Sequence, residues 1–324
     1  MKVLVTGATC PLGAAICRQL VERGDEVVGT GRRVTSFPVL AAPHFRAVVA
    51  DLHDEAAMRA AAQGCVAVIH VAALSSPWGA AADFEHANVT ATAQLIAIAR
   101  NVGIRRFVLV SSASVLFDGR DARDLTEEAP YPRHYLCAYS RSKRDAELLL
   151  RNDIGLDTAI IRPRAIYGPG DAVLLPRLVA RARLGRLRRI GRRDVLQDLT
   201  YVDNAAHACV LALAAPSGRI FHVSDGRPVW LWATIGMVLE RLGLSLAGSP
   251  LPRRLVRGLA TALEFLHHVR PSLGEPTLTR YTAALLSCDQ TLSIAAIRRD
   301  LGYAPLVDPD LGMARAIADL QGLR

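Results

Sequence analysis

The stretch that decides the fold lies close to the N-terminus and has the sequence Lys2-Val3-Leu4-Val5-Thr6-Gly7-Ala8-Thr9-Cys10-Pro11-Leu12-Gly13. Its apolar first half predicts a buried strand, its glycines predict a tight turn, and the pattern over 11–23 predicts a helix. In such a turn the first glycine makes the bend, and the last lets helix and strand pack closely. The helix N-terminus offers free N–H groups to phosphate oxygens. The stretch therefore predicts a strand-turn-helix unit that binds a nucleotide.

A cysteine stands in the middle of this turn, where a glycine would let the backbone approach a pyrophosphate. We expect the Cys10 side chain to weaken cofactor binding. Pro11 suits the first turn of the helix, where no N–H partner is lost. A tight turn without a ligand is the alternative. The residues that we expect to contact the cofactor here are Thr6, Gly7, Thr9, Cys10, Pro11, Leu12 and Gly13.

Short apolar runs alternate with longer amphipathic ones as far as Arg162. The strand-like runs after the first lie at 26–30, 45–50, 66–70, 106–111 and 157–162, and the helical patterns lie at 11–23, 54–63, 83–101 and 136–151. This alternation predicts an α/β fold, a Rossmann-type doubly wound parallel sheet formed by residues 1–162. Beyond it we expect a smaller, mainly helical substrate-binding region, 163–324, with residues near 198–224 returning to the first domain.

Composition limits the classes of function. The chain has 324 residues, of which 51% are hydrophobic, and this is typical of a globular protein. The charge-free apolar stretch 229–239 is too short to cross a bilayer, and the N-terminus lacks the features of a signal peptide. Six scattered cysteines form no C-x-x-C pair, so we expect reduced thiols and no metal site. We expect a cytoplasmic protein without a transmembrane segment.

The formal net charge of +9 has a local origin. Eight arginines and no acidic residue lie between Arg177 and Arg193. A solvated helix face is the first interpretation, and a contact to a cofactor phosphate or a substrate carboxylate is the second. Nucleic-acid binding is disfavoured because no interleaved aromatics and no binding module accompany the arginines.

The end of the second strand decides which dinucleotide is preferred. An acidic residue there would bind the ribose 2′-hydroxyl of NAD(H), whereas an arginine would accept the 2′-phosphate of NADP(H). This chain has Arg32 and Arg33 and no carboxylate at the strand end, so we expect NADP(H) to be preferred, with NAD(H) left open. Solvated loop charges are the alternative for both arginines. Along the same path, Asp51 and Leu52 could reach the adenine ring, and Ala72 and Ala73 follow the fourth strand.

A tyrosine and a lysine four residues apart suggest acid/base chemistry. Tyr139 and Lys143 share one face of a predicted helix. A nearby ammonium and an oxidised nicotinamide would lower the pKa of the phenol, which suits proton transfer to or from an alcohol oxygen. The fifth strand ends in Ser111-Ser112-Ala113-Ser114, and these hydroxyls would lie at the same edge of the sheet.

Together these segments resemble the extended short-chain dehydrogenase/reductases over essentially the whole chain. The shared features are T-G-x-x-x-x-x-G at 6–13, Asp51-Leu52, Asn88, S-S-x-x-V at 111–115, Y-x-x-x-K at 139–143 and R-P-x-x-x-Y-G-P-G at 162–170. The resemblance implies that Tyr139 is the general acid/base and that Ser112 binds the reacting oxygen, with Ser111 or Ser114 as substitutes. It further implies that Lys143 binds the nicotinamide ribose. Asn88 would hold the active-site backbone or a relay water, and Pro163 and Tyr139 would also contact the cofactor.

Departures within this superfamily narrow the reaction. Dehydratases carry Asp-Glu after the active-site hydroxyl, where this chain has Ala113-Ser114, and nucleotide-sugar epimerases carry a diphosphate-binding asparagine at the position of Ala165. The segments 112–119, 198–207, 274–280 and 299–305 resemble the 3β-hydroxysteroid dehydrogenase-like branch. That resemblance implies a hydrophobic substrate, steroid-like or 3-oxo-acid-like. A nucleotide-sugar epimerase or reductase and a non-catalytic NADP(H)-binding sensor are the alternatives.

One further segment, 251–270, has an apolar face at helical spacing, made by Leu255, Leu259, Ala262, Leu263, Leu266 and Val269. We expect it to pack against the sheet. Lining a lipophilic pocket and lying on a membrane surface are the alternatives, and the second would be a peripheral membrane contact. His267 and His268 are expected to be surface or packing residues. A homodimer is left open.

Overall fold

A computed structural model describes residues 1–33, 42–153, 155–171 and 173–322. In chain order the strands are β1 (Lys2–Thr6), β2 (Glu26–Gly31), β3 (Phe45–Val49), β4 (Ala67–His70), β5 (Arg106–Val110), β6 (Ala122–Leu125), β7 (Asp157–Pro163), β8 (Ile166–Tyr167), β9 (Leu196–Gln197), β10 (Thr200–Tyr201), β11 (Arg219–Val223), β12 (Val229–Trp230) and β13 (Gln290–Leu292).

The α-helices are α1 (Pro11–Glu22), α2 (Glu55–Ala62), α3 (Ala81–Phe84), α4 (Ala91–Asn101), α5 (Ala138–Arg151), α6 (Leu175–Arg183), α7 (Val202–Leu211), α8 (Leu231–Arg241), α9 (Arg253–Val269), α10 (Arg280–Leu285), α11 (Ala295–Leu301) and α12 (Pro309–Gly322). A π-helical turn, Glu85–Thr90, connects α3 to α4, and Ala113–Leu116 form a 3₁₀ turn after β5. Within the described ranges, no helix has the length and the apolar character that crossing a membrane requires.

Seven parallel strands form the central sheet in the order β11-β7-β5-β4-β1-β2-β3. Side chains alternate between its two faces: Val3 and Val5 belong to one core and Leu4 to the other. Helix α1 covers the first face, and α2, α4 and α5 cover the second. The strands are therefore buried on both sides, as their nearly continuous apolar sequences require. The predicted Rossmann-type doubly wound sheet is confirmed.

The structure departs from the predicted elements in two places. The helix expected over 83–101 is divided by the π turn, which widens the helix around Asn88. The short strands outside the central sheet, β6 among them, escaped the sequence analysis, because strands of two to four residues carry no measurable period. They form a four-stranded sheet, β12-β9-β13-β6, and the pair β10-β8, while β11 joins the edge of the central sheet beside β7.

A buried ion pair fixes α5 to the sheet. Arg162 at the end of β7 donates from Nε and Nη2 to the two carboxylate oxygens of Glu147 at 2.9 and 2.6 Å, and both side chains are fully buried. The Tyr131 hydroxyl donates to the same carboxylate at 2.6 Å. Since α5 carries Tyr139 and Lys143, this pair sets the position of both residues relative to the strand ends.

Candidate active site

The glycine turn between β1 and α1 has the close packing that its sequence predicts. Gly7 has a φ of +70°, and a Cβ on it would lie 2.8 Å from the backbone nitrogen of Ala72. A Cβ on Gly13 would overlap the carbonyl oxygen of Gly7. Only glycine fits at either position, so the backbone forms a cradle at the start of α1. Such a cradle suits a dinucleotide pyrophosphate.

Cys10 is the N-cap of α1, and Pro11 is at its first turn as predicted. The Cys10 Sγ accepts the N–H of Gly13 at 3.4 Å, and burial raises the pKa of the thiol. The thiol therefore turns onto the first turn of the helix and stays protonated. It occupies one of the N–H groups that a phosphate would otherwise use. Leu12 packs into the core, whereas Pro11 is exposed.

The residues predicted to select the dinucleotide lie on the surface. Arg32 and Arg33 follow β2 and are exposed. Asp51 is also exposed, and its carboxylate accepts the N–H of His53 at 3.0 Å. Leu52 is half-buried against the core of α2 and α4. At the end of β2, Gly31 allows Thr9 to lie against the strand, since a Cβ there would overlap the Thr9 side chain.

A chain of buried hydrogen bonds connects the end of β1 to the π turn. The Thr6 hydroxyl accepts the N–H groups of Val71 and Ala72 at 3.2 Å each, and Thr6 Oγ1 lies 2.7 Å from His70 Nδ1. The other ring nitrogen of His70 lies 3.0 Å from Thr92 Oγ1, and the Thr92 hydroxyl donates to the Asn88 carbonyl at 2.6 Å. Ala72, and Ala73 next to it, are half-buried.

His70 is neutral in this chain. Burial and the nearby Lys143 lower the pKa of the imidazole to about 3. Because Thr6 Oγ1 already accepts two N–H groups, its own proton goes to Nδ1, and the imidazole N–H is at Nε2 facing Thr92. Sequence analysis did not assign His70 a role, although a histidine that ends an otherwise apolar strand was the available signal.

Asn88 holds the segment that follows β4. Its Oδ1 accepts the Leu74 N–H at 2.7 Å, and its Nδ2 donates to the Leu74 carbonyl at 3.0 Å and to Ser142 Oγ at 2.9 Å. The Ser142 hydroxyl donates to the Tyr139 carbonyl at 2.8 Å. These contacts are of the kind that the backbone-holding role requires, and they tie the loop after β4 to helix α5.

Tyr139 and Ser112 meet at the carboxyl edge of the sheet. Burial raises the pKa of the Tyr139 phenol, while hydrogen bonds with the side chains of Ser75 and Ser112 lower it to a smaller extent. The phenol is therefore protonated at neutral pH. Ser112 Oγ also accepts the Ser114 N–H at 3.2 Å. Ser75 was missed by the sequence analysis, because it lies in an irregular loop and belongs to no motif.

Lys143 is buried one helical turn after Tyr139. Its ammonium donates to the Val110 carbonyl at 2.7 Å, and burial lowers its pKa to about 8, with Glu147 opposing the shift. We expected this cation to lower the pKa of Tyr139. In the structure, burial and Cys137 raise the pKa of Tyr139, whereas Ser75 and Ser112 lower it. Lys143 is not among these influences, so the phenol stays neutral.

Residues of the second half close the other side of the site. Tyr281 of α10 packs edge-on against Phe117, with 6.0 Å between ring centroids. Ser114, Cys137 and Tyr139 all influence the pKa of the Tyr281 phenol, which burial raises. The second half was expected to bind the substrate, but no motif singled out Tyr281.

The arginine-rich segment lies on the surface and is largely engaged there. Arg177 makes two contacts to Glu275, at 2.6 and 3.3 Å, and Arg193 makes two to Asp289, at 2.8 and 2.9 Å. Arg188 donates to the Ser249 carbonyl. This geometry favours the solvated helix face among the interpretations weighed above.

Helix α9 corrects the expectation of core packing. Its buried side chains are Val256, Ala260 and Glu264, whereas Leu255 is 62% exposed and Val269 is 62% exposed. Glu264 faces inward because it accepts the N–H and the Nε of Arg280 at 2.6 and 2.5 Å. The predicted apolar face therefore points to solvent, and a buried carboxylate takes the inner position. His267 and His268 make edge contacts with Trp78, in the loop after β4.

Comparison with known proteins shows the family of the chain. The 3-beta hydroxysteroid dehydrogenase/isomerase family matches residues 4–253. A 2-alkyl-3-oxoalkanoate reductase of Shewanella oneidensis is 35% identical, over 98% of this chain and 85% of the relative. The sterol-4-alpha-carboxylate 3-dehydrogenase (decarboxylating) of Mus musculus is 30% identical, over 100% of this chain and 92% of the relative.

Solved structures share the fold over the full length. A dTDP-glucose 4,6-dehydratase of Streptomyces venezuelae with NAD bound is 25% identical, with a TM-score of 0.78, and the match covers 99% of this chain and 97% of that one. A UDP-glucuronic acid 4-epimerase of Bacillus cereus, solved with NAD, has a TM-score of 0.79 at 19% identity and complete coverage of both chains. At that identity the likeness concerns the fold alone.

Proposed function

Because this chain belongs to the 3-beta hydroxysteroid dehydrogenase/isomerase family, we propose that it interconverts a secondary alcohol and a ketone on a hydrophobic substrate, with Tyr139 as the general acid/base. Its relatives make it an NAD(P)-dependent oxidoreductase of the short-chain dehydrogenase/reductase type. Residues 1–162 and the segments that rejoin them would bind the cofactor, and residues 163–324 would make most of the contacts with the substrate.

The observation that carries the proposal is the Tyr139 phenol with the Ser112 and Ser75 side chains as its neighbours. Both serines lower the pKa of the phenol, but burial raises it by more, so the phenol keeps the proton that a developing alkoxide needs. A substrate carbonyl at this place would accept hydrogen bonds from Tyr139 and Ser112. The bound nicotinamide supplies or accepts the hydride. In the oxidising direction, the deprotonated form of Tyr139 would accept the alcohol proton while Ser112 holds the alcohol oxygen.

Several side chains support the cofactor in this proposal. The glycine cradle of Gly7 and Gly13 would hold the pyrophosphate, and Lys143 would bind the nicotinamide ribose. Arg32 and Arg33 favour NADP(H), because they are free of described hydrogen bonds and no carboxylate ends β2. NAD(H) is the alternative, and the two are compared directly by measuring each Kd.

We favour a 3-oxo acid over a steroid as substrate. The relatives at 35% and 36% identity are named 2-alkyl-3-oxoalkanoate reductases. Exposed apolar residues of α9, including Leu259 and Phe265, suit a peripheral contact with a membrane that holds such a substrate. Ala165 stands where a diphosphate-binding asparagine would support a sugar nucleotide as substrate. The solvated arginines of 177–193 do not indicate a nucleic acid as partner.

The test measures reduction of a 2-alkyl-3-oxo acid, a steroid ketone and a sugar nucleotide, each with NADPH and with NADH. We expect turnover on the oxo acid, and we expect Tyr139→Phe to lower kcat by about 10²- to 10⁴-fold. Tyr303→Phe is the matched control, because Tyr303 is buried elsewhere and donates only to the Ser224 carbonyl. Full turnover by Tyr139→Phe would refute the assignment. Strong stabilisation by a nucleoside diphosphate would favour the sugar-nucleotide alternative.

A further inference from the structure

Two arginines, two residues apart at the end of β7, are buried in different ways. Arg162 has the carboxylate of Glu147. Arg164 is only 4% exposed, and none of the ion pairs formed by the described residues includes it. Its Nη2 donates to the amide oxygen of Gln197, and its Nε is buried with no acceptor in the described part of the chain. Arg164 is thus a buried cation whose direct partner is neutral.

Burial of a guanidinium without an ion pair raises the free energy of the folded chain unless another group compensates the charge. An arginine stays protonated in a protein, so its charge cannot be removed by titration. Burial lowers the pKa of Arg164, and Tyr281 and Asp198 oppose that shift. The Asp198 carboxylate is turned to the Leu292 N–H at 2.7 Å, and burial raises its pKa to about 6. Asp198 thus acts on Arg164 only at a distance and forms no ion pair with it, and Arg164 Nε has no acceptor within the described residues. The carboxylate of a ligand would satisfy that group.

The position of Arg164 connects it to the reacting centre. Gln197, the acceptor of Arg164, donates in turn to the Leu285 carbonyl at the end of α10 at 3.1 Å. Tyr281 lies on the same helix and packs against Phe117, which ends the turn that begins at Ser112. The Tyr281 phenol is protonated and can donate a second hydrogen bond. The next residue, Ala165, has a φ of +37°, which is unfavourable for a side chain other than glycine or asparagine.

We propose that Arg164, assisted by the Tyr281 phenol, binds the carboxylate of the substrate whose ketone or alcohol carbon reacts at Tyr139. This inference rests on the proposed function and names its substrate class, an acid with the reacting oxygen close to the carboxylate. A guanidinium binds a carboxylate through two parallel hydrogen bonds and so fixes its orientation as well as its charge. The surface arginines of 177–193 do not take this role, since their charges face solvent and surface acceptors.

The test uses the oxidising direction, with a 2-alkyl-3-hydroxy acid and its methyl ester as the paired substrates. Both carry the same alcohol, but only the acid carries the anion. For the unchanged chain we expect kcat/KM to be higher for the acid. In Arg164→Gln the ratio of acid to ester kcat/KM should fall about 10- to 100-fold, which corresponds to a lost hydrogen bond to a charged group. Arg164→Lys should recover part of the ratio. Arg186→Gln, an exposed arginine of the surface segment, should keep it.

The result that overturns the inference is an equal loss for acid and ester in Arg164→Gln, because a structural role affects both. A preference of the unsubstituted chain for the ester would also overturn the inference. This outcome does not depend on whether a variant folds. Failure of the proposed function looks different: neither alcohol is oxidised. Binding of the 3-hydroxy acid is then measured by its effect on Tm. Stabilisation that Arg164→Gln abolishes would still support the anion site, and stabilisation that survives in this variant would refute it.

Discussion

The two sides of the active site are built differently. On the sheet side, Thr6, His70, Thr92 and Asn88 form one chain of buried hydrogen bonds, and Arg162 has its carboxylate. On the side formed by the second half, Arg164 Nε has no acceptor within the described residues, and α9 shows its apolar face to solvent. The first side can hold its geometry without a ligand. The second side has groups that only a ligand or a surface can satisfy, so it is where specificity is decided.

The largest expected effect comes from breaking the ion pair of the sheet side. In Glu147→Gln, Arg162 stays buried without a negative partner, and the free energy of unfolding should fall by about 3–5 kcal/mol. Denaturation in urea measures this loss. Arg162 Nη1, like Arg164 Nε, has no acceptor within the described residues. The two arginines differ because Glu147 neutralises the charge of Arg162.

The same measurement on Arg164→Gln should show a loss below about 1 kcal/mol, since the substitution removes an uncompensated cation along with one hydrogen bond. Equal losses in Glu147→Gln and Arg164→Gln would remove the difference between the two sides.

A pH effect of intermediate size should come from His70. Its pKa is about 3 in the folded chain against an ordinary value of 6.5, so the unfolded chain binds the additional proton between these values. Stability is therefore complete above pH 6.5 and falls as the pH decreases toward 3, by up to about 1.4 kcal/mol per pH unit.

A His70→Asn variant isolates this contribution, because the other titrating groups are common to both chains. Its free energy of unfolding should depend less steeply on pH between 4 and 6 than that of the unchanged chain, when both are followed by urea denaturation. Parallel curves would show that His70 is protonated without cost, and the sheet side would then be less rigid than its hydrogen bonds indicate.

The smallest expected effect concerns the glycine turn. Cys10→Gly should tighten cofactor binding by a few-fold, because the Gly13 N–H is released from the sulfur for a phosphate oxygen. Titration of NADPH and NADH by fluorescence gives both Kd values. Cys10→Ser keeps an N-cap acceptor and should bind the cofactor no better than the unchanged chain. An unaltered Kd in Cys10→Gly would show that the turn tolerates the thiol.

The sequence by itself determined the sheet and most residues of the sheet side, with His70 as the exception. Alternating strands and helices, the glycine turn and the spacing of Tyr139 and Lys143 are local patterns, and each depends on contacts within a few residues or on a fixed strand order. Burial of the strands on both faces could be predicted because their apolar runs have no polar face.

Only the tertiary structure decided the substrate side. Helix α9 has an apolar stripe that predicts core packing, but its inner face carries Glu264, which forms an ion pair with the half-exposed Arg280. Tyr281 and Arg164, which act on each other's pKa, come from a short helix and from the end of a strand that are far apart in the chain. Whether a buried charge has a partner depends on distances between such segments, and no periodicity in the sequence records those distances.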